Sequence, residues 1–412
     1  MSAKFGPTFK VDFFVSVVMF SQPEHIRTVL KQVDDVEKAA QPVAVQNLFK
    51  PLFGNQSIVH QNKPLWNEHR TILNKSFISN KVFFEPLQKK AKQCIDLWKT
   101  QSPVHVVSDL QKMTLDALGT CIFGRDFDTL GGNLSGPLQA YNNMIQHLFR
   151  PIFLLLPFLL KLPFYNNLKE SFKVFDDYCW QIIRDSKQSA NEQPHLISLM
   201  INNGLSDQVV RDNIGVFFLA GHETTNSTLS WAIGLLAQYP NITNKLREEL
   251  AQKTYNFTKP LVYDDLKELV YLDWFIKETL RMYPATPQIT ARRTAKDMVI
   301  GEWFLPKHTR IGLDIVSMMH DKNIWGNPEV FDPERWSPDR LTKAQRSAYM
   351  PFSHGPRICI GMNFSLVEQK IFLSTLLTQF SKVEFSPGGS CLVDPQGVTN
   401  TPDKHKLLVR FQ

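Results

Sequence analysis

The sequence is poor in cysteine and has no long apolar run, and each absence narrows what the chain can be. Its 412 residues include five cysteines, an odd number, and none of them lies in a CxxC pair. This argues against a disulfide framework or a structural zinc site and indicates a reducing compartment. The apolar stretch at 11–20 is shorter than the ~20 residues that cross a bilayer, so it suits a buried strand better.

Linkers, repeats and blocks of charge are absent as well. No Ser/Gly-rich segment divides the chain, and no repeat of solenoid or propeller period occurs. Lys and Arg number 46 against 39 Asp and Glu, which gives a net charge of +7. The basic residues are scattered, and no zinc-finger or other nucleic-acid motif accompanies them, so we expect no nucleic-acid partner.

The distribution of apolar residues predicts a mainly α chain with small β-sheets, an α+β arrangement. The first 60 residues are patterned as short strands and turns, with a helix near 22–32. Helical patterns follow as far as about 380, interrupted by strand-like patterns near 289–316, and short strands return at 382–412. We expect one domain over 1–412.

An oily, proline-rich segment occupies 151–164, with the sequence PIFLLLPFLLKLPF. Three prolines and a lysine exclude a membrane-spanning helix here. Two interpretations stay open: a buried loop, or a surface that enters a membrane or lines a substrate entrance.

One predicted helix is unusual because its centre is polar. It starts after the capping residue Ser206 and covers 207–239, which at ~1.5 Å per residue is on the order of 50 Å. Its flanks are apolar, whereas 221–228 reads GHETTNST. Glycine and hydroxyl residues weaken a helix interior, so this break in the pattern favours a functional site over a polar stripe that neighbouring helices satisfy. A kink at Gly221 could open the helix and leave a groove for a ligand or water.

Two further features lie near the C-terminus. On a predicted helix over 263–283, Glu278 and Arg281 are three residues apart and share a face; alone, this pair is typical of a solvent-facing salt bridge. Cys359 lies in a glycine-bounded loop just before an amphipathic helix. The free N–H groups there, together with Arg357, favour a thiolate that could act as a metal ligand or nucleophile.

Taken together, these features resemble the cytochrome P-450 superfamily of haem-thiolate enzymes. Five motifs of that superfamily occur in its order: WxxxR at Trp66 and Arg70, (A/G)-G-x-(D/E)-T-(T/S) at 220–225, ExxR at Glu278 and Arg281, P-E-R-F as Pro333-Glu334-Arg335-Trp336, and FxxGxRxCxG at 352–361. Trp336 replaces the usual phenylalanine. The resemblance covers essentially the whole chain, and it implies the P-450 fold, with haem between the long central helix and the cysteine loop.

The resemblance also implies roles around haem b, iron protoporphyrin IX. Cys359 would be the axial ligand of the iron, as a thiolate that favours O–O cleavage, and Phe352 would cover its proximal side. Trp66, Arg70 and Arg357 match the positions that bind the haem propionates.

Further implied residues support this site. Arg292 is another candidate for the propionates, placed by its spacing from Asp297, and the neighbouring Arg293 is the competing choice. The motif also implies a buried structural network, formed by Glu278, Arg281 and Arg335.

In the central helix, Glu223 and Thr224 match the acid and alcohol that deliver protons during oxygen activation. We expect the preceding His222 to point away rather than bind iron.

The resemblance implies a monooxygenase that inserts one atom of O₂ into a lipophilic organic substrate. Electrons would come from NADPH only indirectly, through NADPH–cytochrome P-450 reductase with cytochrome b5 as an optional donor, because no GxGxxG-type dinucleotide site is present. Arg357, the P-E-R-aromatic element and the 151–164 segment favour the eukaryotic microsomal type, on the cytosolic face of the endoplasmic reticulum membrane.

Two alternative functions and one departure from the family pattern complete these expectations. A haem-thiolate isomerase or dehydratase would need no reductase, but it would not need Glu223 and Thr224 either. A haem-binding inactive pseudoenzyme is a second alternative, motivated by the N-terminus. There we expect that the membrane anchor, hinge and first helix of the microsomal type are missing, because the chain begins near the first small sheet.

Overall fold

Helices dominate the computed structural model, as the sequence predicts. It describes residues 6–12, 16–40, 43–77, 80–133, 135–150, 152, 156, 159, 166–188, 195–254, 256–394 and 399–412. The chain forms two compact units: Met1–Ala39, Asn80–Leu110 and Thr224–Gln412 form unit 1, and Ala40–Ser79 and Gln111–Glu223 form unit 2. The expectation of one domain over 1–412 stays a prediction.

Unit 1 holds the strands and most of the C-terminal helices. Its strands are β1 Thr8–Asp12, β2 Ser16–Phe20, β3 Val36–Lys38, β4 Val104–His105, β5 Gln288–Thr294, β6 Met298–Ile300, β7 Trp303–Leu305, β8 Arg310–Asp314, β9 Val383–Phe385 and β10 Leu408–Phe411. They form a five-stranded sheet in the order β1-β2-β8-β5-β3, a three-stranded sheet β4-β10-β9 and the hairpin β6-β7. The small sheets predicted at both ends of the chain are therefore confirmed.

The helices of the described residues are numbered together across the two units. They are α1 Pro23–Lys31, α2 Val43–Phe53, α3 Leu65–Ser76, α4 Phe84–Trp98, α5 Val106–Ile122, α6 Gly136–Leu148, α7 Asn166–Gln188, α8 Leu196–Asn202, α9 Asp207–Gln238, α10 Pro240–Lys253, α11 Val270–Met282, α12 Ile315–Met319, α13 Lys322–Trp325, α14 Lys343–Ala348 and α15 Met362–Gln379. Unit 2 contains α2, α3, α6, α7 and α8, while α5 and α9 each contain a unit boundary.

The core of unit 1 packs α1 and the C-terminal helices against the five-stranded sheet. Its fully buried members include Phe20, Ile311 and Leu313 from the strands and Met318 and Trp325 from the short helices. Unit 2 has an aromatic core instead. There, Phe218 of α9 stacks on Phe123 and Phe127 with ring centroids 4.8 and 5.5 Å apart, and contacts Tyr141 and Phe175.

The long central helix is present, and α9 covers Asp207–Gln238 in 32 residues. Ser206 caps it, because its hydroxyl accepts a hydrogen bond from the Val209 amide at 3.4 Å. The helix continues without a break through Gly221, so the expected opening is not seen there. A Cβ atom at Gly221 would lie 2.4 Å from the Leu118 side chain, so this glycine permits close packing.

Two predicted boundaries are wrong. Short strands and turns were expected before residue 60, but α2 is helical, because Leu48 and Leu52 are four residues apart and bury one face. The helix expected over 263–283 begins only at Val270, after a 3₁₀ turn. Its start is set by Glu249, whose carboxylate accepts from the amides of Tyr271 and Leu272 at 2.6 and 3.0 Å.

Most of the oily segment 151–164 lies outside the described residues, so both interpretations of it stay open. Within the part of the chain that the structure describes, we find no helix with the length and apolarity needed to cross a membrane.

Candidate functional site

Cys359 is presented at the start of α15 by a tight loop. Its backbone N–H donates to the Phe352 carbonyl at 2.9 Å, which closes the loop over the glycine-containing turn. The thiol is exposed, whereas Cys94, Cys121 and Cys179 are buried. The helix that follows is 18 residues long, so its N-terminal dipole favours a thiolate at Cys359.

Gly355 holds this loop against the end of α1. Its φ is +73°, and a Cβ atom there would lie 2.6 Å from the Leu30 carbonyl oxygen. Both the backbone conformation and the close approach require glycine. The conformation of the Cys359 loop is therefore tied to the packing of α1.

Basic side chains converge near this loop in unit 1. Arg292 on β5 is 3% exposed, and its Nη1 makes no hydrogen bond within the described part of the chain. Arg293, the competing choice, points to the opposite face of the strand and pairs with Glu37. Of the two arginines, Arg292 is therefore the better candidate to bind an anion.

Lys38, which the sequence analysis missed, lies directly opposite Arg292 in the β3–β5 ladder. Burial of the amino group, together with the positive charges of Arg292 and Arg357, lowers the pKa of Lys38 to about 7. Burial also lowers the pKa of Arg292 to about 10. The signal for Lys38 was its period-two spacing from the buried Val36 on a short strand.

These residues fit a haem group. A haem offers two carboxylates, and a buried guanidinium that lacks a partner atom is costly unless an anion meets it. An exposed cysteine at a helix N-terminus supplies a thiolate ligand close in sequence to Arg357. Among the described residues, no cluster of three or more His, Cys, Asp or Glu side chains could hold a metal ion instead.

A buried ionic network lies in the same unit. Glu278 accepts from Nε and Nη2 of Arg281 at 3.0 and 2.9 Å, and from Nε of Arg335 at 3.3 Å. Trp336 donates to the same carboxylate at 2.9 Å. Glu278 and Arg281 are completely buried, so the solvent-facing salt bridge considered for this pair is excluded.

Other donors of the two arginines go to backbone carbonyls at the C-terminal ends of α12 and α13 and in the loop that follows α13. Arg281 donates to Met319 and Pro328 at 2.9 and 2.7 Å, and Arg335 donates to Trp325 at 2.7 Å. Because a buried charge is tolerated only when it is paired and hydrogen bonded, this network specifies the loop around Pro328. Trp336 adds a bond that the usual phenylalanine could not make.

In unit 2, Glu223 lies in a polar pocket on α9. Its Oε1 accepts from Gln111 Nε2 at 3.0 Å and lies 3.4 Å from His222 Nε2. Burial acts to raise the pKa of Glu223, but His222 and the hydrogen bond from Gln111 outweigh it and hold the pKa below its usual value. Burial, and then the charge of Glu223, raises the pKa of Tyr141. Gln111 was missed, and no sequence pattern marks it.

His222 is completely buried, and its ring is held by its own helix. Nδ1 is hydrogen bonded to the Phe218 carbonyl, which can only accept, so Nδ1 carries a proton. Nε2 then carries a proton only when the ring is cationic, and it is this atom that faces Glu223. The ring is therefore directed at the Glu223 carboxylate.

Thr224 follows Glu223 and is half-buried, and its carbonyl accepts from Thr228 at 3.1 Å. The next residue, Thr225, lies 2.9 Å from the Ser365 hydroxyl on α15, and Gln369 donates to that hydroxyl at 2.9 Å. These bonds attach the C-terminal part of α9 to the helix that carries Cys359 at its start. The sequence analysis missed Ser365 and Gln369.

The early motif lies on α3 in unit 2. Trp66 is 4% exposed, and Arg70 is partly exposed, with its Nε donating to Asn74 Oδ1 at 2.9 Å. The four-residue spacing places both on one face of the helix.

The chain matches known proteins along almost its whole length. The model of the family described as Cytochrome P450 matches residues 1–409. The chain is 28% identical to cytochrome P450 3A11 of Mus musculus, over 92% of this chain and 79% of that protein. It is 30% identical to cytochrome P450 3A2 of Rattus norvegicus, over 77% and 68%, and 27% identical to human cytochrome P450 4X1, over 87% and 75%.

The fold matches as well. The crystal structure of the cytochrome P450DA heme domain superposes with a TM-score of 0.85 at 22% identity, and covers 98% of this chain and 90% of that one. The predicted fold is thereby confirmed. The chain belongs to the cytochrome P450 family and is a haem-binding monooxygenase.

Proposed function

We propose that this monooxygenase inserts one oxygen atom of O₂ into a lipophilic organic substrate, with electrons supplied from NADPH by a flavoprotein reductase. The observation that carries the proposal is the exposed thiol of Cys359 at the start of α15, in a loop that Gly355 holds against α1. When bound, a haem-thiolate group supplies oxygen activation.

Cys359 is proposed as the axial ligand. The Phe352 carbonyl shapes the loop by accepting a hydrogen bond from the Cys359 amide. Arg357 and Arg292 are proposed to bind the haem propionates. Trp66 and Arg70 are assigned the same role by their motif alone.

Glu223 is proposed to hold and release a proton. Its Oε1 is occupied by Gln111, which leaves Oε2 to take up a proton and pass it on. Thr224 follows on the same helix and offers a hydroxyl that can donate and accept. Glu278, Arg281 and Arg335 are proposed to act only as a structural network.

The physiological partners belong to the same proposal. An NADPH–cytochrome P450 reductase would deliver the electrons, with cytochrome b5 as an optional second donor. The endoplasmic reticulum membrane, on its cytosolic face, is the proposed location, and a membrane surface the proposed source of an apolar substrate. The acid–alcohol pair favours this reaction over an isomerase or dehydratase, which would need neither side chain.

The test is the reduced, carbon monoxide-bound spectrum of the haem-loaded chain, beside Cys359→Ala and the control Cys391→Ala. A red-shifted thiolate Soret band that is lost only in Cys359→Ala is the expected result. The chain is then incubated with a reductase, NADPH and a panel of lipophilic compounds. Oxygenated product that depends on NADPH supports the proposal. Turnover without NADPH would favour the isomerase, and a thiolate band with no turnover would favour an inactive haem protein.

A further inference from the structure

A side-chain hydrogen bond joins α9 to α15 within unit 1. The hydroxyl oxygens of Thr225 and Ser365 lie 2.9 Å apart, and Nε2 of Gln369 donates to the same Ser365 oxygen at 2.9 Å. All three side chains are buried. In buried surroundings a hydrogen bond between side chains is strong, and it is costly to remove one of its partners. The two helices are therefore fixed to each other at this point.

This bond lies close in sequence to both positions that are proposed to act on oxygen and iron. Thr225 directly follows Thr224, the proposed alcohol of oxygen activation. Ser365 lies in the first turn of α15, where its amide donates to the Gly361 carbonyl at 2.9 Å. Gly361 in turn is two residues beyond Cys359. A short run of peptide bonds and hydrogen bonds thus connects the proposed iron ligand with the proposed alcohol.

The same part of α9 has a second attachment in unit 1. The backbone carbonyl of Asn400 accepts from Ser227 Oγ and Trp231 Nε1, each at 2.7 Å. Ser227 is two residues after Thr225, so at ~3.6 residues per turn the two hydroxyls project from nearly opposite sides of the helix. This attachment does not involve α15. We therefore expect loss of the bond to Ser365 to shift α9 slightly rather than to unfold it.

We propose that the hydrogen bond between Thr225 and Ser365 sets the position of Thr224 relative to the Cys359 thiolate, which makes Thr225 and Ser365 positioning residues for oxygen insertion. Gln369 holds the Ser365 hydroxyl in place for this bond. The inference rests on the proposed function. Because haem is proposed to lie between α9 and the cysteine loop, a bond that joins these two elements fixes the space between them.

The expected consequence concerns where a proton is delivered. A hydroxyl group relays a proton only from within hydrogen-bond reach of its acceptor, and a displacement of about 1 Å can cost up to about a hundredfold in rate. If the Thr224 hydroxyl moves out of reach, electrons from NADPH leave as hydrogen peroxide instead of forming oxygenated product. Haem binding and the thiolate ligand need neither Thr225 nor Ser365, so both should be retained when the bond is lost.

The experiment compares the haem-loaded wild type with Thr225→Val, Ser365→Ala and the double variant. Thr225→Ser keeps the hydroxyl and is the rescue variant. Ser374→Ala is the matched control, because Ser374 is a buried serine of the same helix whose hydroxyl donates only to carbonyls of that helix. Each protein is incubated with a reductase, NADPH and the lipophilic compound that wild type oxygenates most. Product and hydrogen peroxide are measured per NADPH consumed.

We expect product per NADPH to fall by about two- to tenfold in Thr225→Val and in Ser365→Ala, the range that loss of one hydrogen bond supplies. Hydrogen peroxide per NADPH should rise as product falls. The double variant should lose no more than either single variant, because both substitutions remove the same bond. Thr225→Ser should keep most of the wild-type product yield, and Ser374→Ala should match wild type.

A second readout does not depend on turnover. Hydrogen–deuterium exchange of the haem-loaded chain measures how firmly the α9 amides at 224–228 are held. Exchange at these amides should be about two- to tenfold faster in Ser365→Ala than in wild type, although the substituted residue lies on α15. Ser374→Ala should leave it unchanged. The carbon monoxide-bound thiolate band should be the same in all variants.

The inference is overturned if either readout stays at its wild-type value in the single variants. Faster exchange with an unchanged product yield would mean that the bond holds the helix without positioning Thr224. Losses that add in the double variant, or that Thr225→Ser does not reverse, would also contradict it. If Thr225→Val does not fold, Ser365→Ala and Thr225→Ser decide the outcome.

The proposed function is judged on wild type alone. A wild type with no thiolate band, or with no product that depends on NADPH, overturns the proposed function and this inference with it. A wild type that oxygenates its substrate, beside variants that behave like it, removes only the role of the hydrogen bond between Thr225 and Ser365.

Discussion

Glu278 and Arg281 form a completely buried, bidentate ion pair one helical turn apart, with Nε–Oε2 and Nη2–Oε1 distances of 3.0 and 2.9 Å. Such a pair contributes little to the free energy of folding when both partners are present, because the cost of desolvating the two charges offsets their attraction. Its effect appears when one partner is removed.

Glu278→Ala should destabilise the chain by about 3–5 kcal/mol, since it leaves two buried guanidinium groups without their carboxylate. The backbone carbonyls that the two guanidinium groups bind would no longer be held in place, and haem content would fall together with stability. Chemical denaturation and haem content measure both effects. The control is Glu384→Ala, which removes partly exposed ion pairs with Lys382 and Arg410 and should cost about 1 kcal/mol or less. Equal losses for the two variants would contradict the structural role of Glu278.

Gly355→Ala should disturb the cysteine loop. The substitution combines a left-handed backbone with a methyl group 2.6 Å from the Leu30 carbonyl oxygen. Gly388→Ala is a matched control, because φ is +77° there but no atom lies within 4 Å of a Cβ. The backbone term of about 1–2 kcal/mol is common to both. We expect Gly355→Ala alone to reduce the carbon monoxide-bound thiolate band further, and identical spectra would refute the close approach.

Gln111→Leu should alter the pH dependence of turnover. Loss of the hydrogen bond to Oε1 raises the pKa of Glu223, because a stabiliser of the charged form is gone. NADPH-driven product formation should fall by up to about fivefold, the change that a hydrogen bond of about 1 kcal/mol can supply, and the loss should be larger at pH 6 than at pH 8, with more hydrogen peroxide released per NADPH consumed. Gln379→Leu, at an exposed position that binds Lys99, should leave the profile unchanged. A parallel loss at every pH would count against a role through Glu223.

The carboxyl group of Glu223 also makes the folding stability depend on pH. Its pKa in the folded chain lies below the ordinary value of 4.5, so the interactions of Glu223 stabilise the fold above that value. The contribution is lost as the pH falls through the lower, folded-state pKa. Below pH 5, the stability of Gln111→Leu should therefore decline less with falling pH than that of wild type, as measured by thermal unfolding.

The variants Arg292→Met and Arg293→Met should show which of the two arginines binds the haem propionates, a question that the sequence did not decide. Arg292→Met removes the buried guanidinium and should lower haem affinity by about tenfold or more. Arg293→Met removes only a partly exposed pair with Glu37, worth about 1 kcal/mol or less, and should leave haem affinity unchanged. Haem distribution against a globin measures both, and a larger loss in Arg293→Met would reverse the assignment.

Part of the site could be predicted because its chemistry requires fixed residue types at short spacings. Cys359 with its glycines and Arg357, and the pair Glu278 and Arg281, lie within a loop or one helical turn, so local sequence defines their geometry. The 32-residue α9 was predicted for the same reason, since apolar flanks and a capping serine are local signals.

Other contacts could not be read from the sequence because their partners are distant along the chain. Gln111 meets Glu223 across 112 positions, and Thr225 meets Ser365 across 140. The start of α11 at Val270 depends on the side chain of Glu249 more than twenty residues earlier.

The sequence by itself determined the family, the thiolate loop, the long helix and the residues that pair within a turn, because each rests on spacing along one element. Only the tertiary structure decided that Trp336 donates to the buried Glu278 carboxylate, that Arg292 and not Arg293 lies on the strand face away from Glu37, and that Lys38 stands opposite Arg292. Strand register and burial set these outcomes, and both depend on which distant segments pack together.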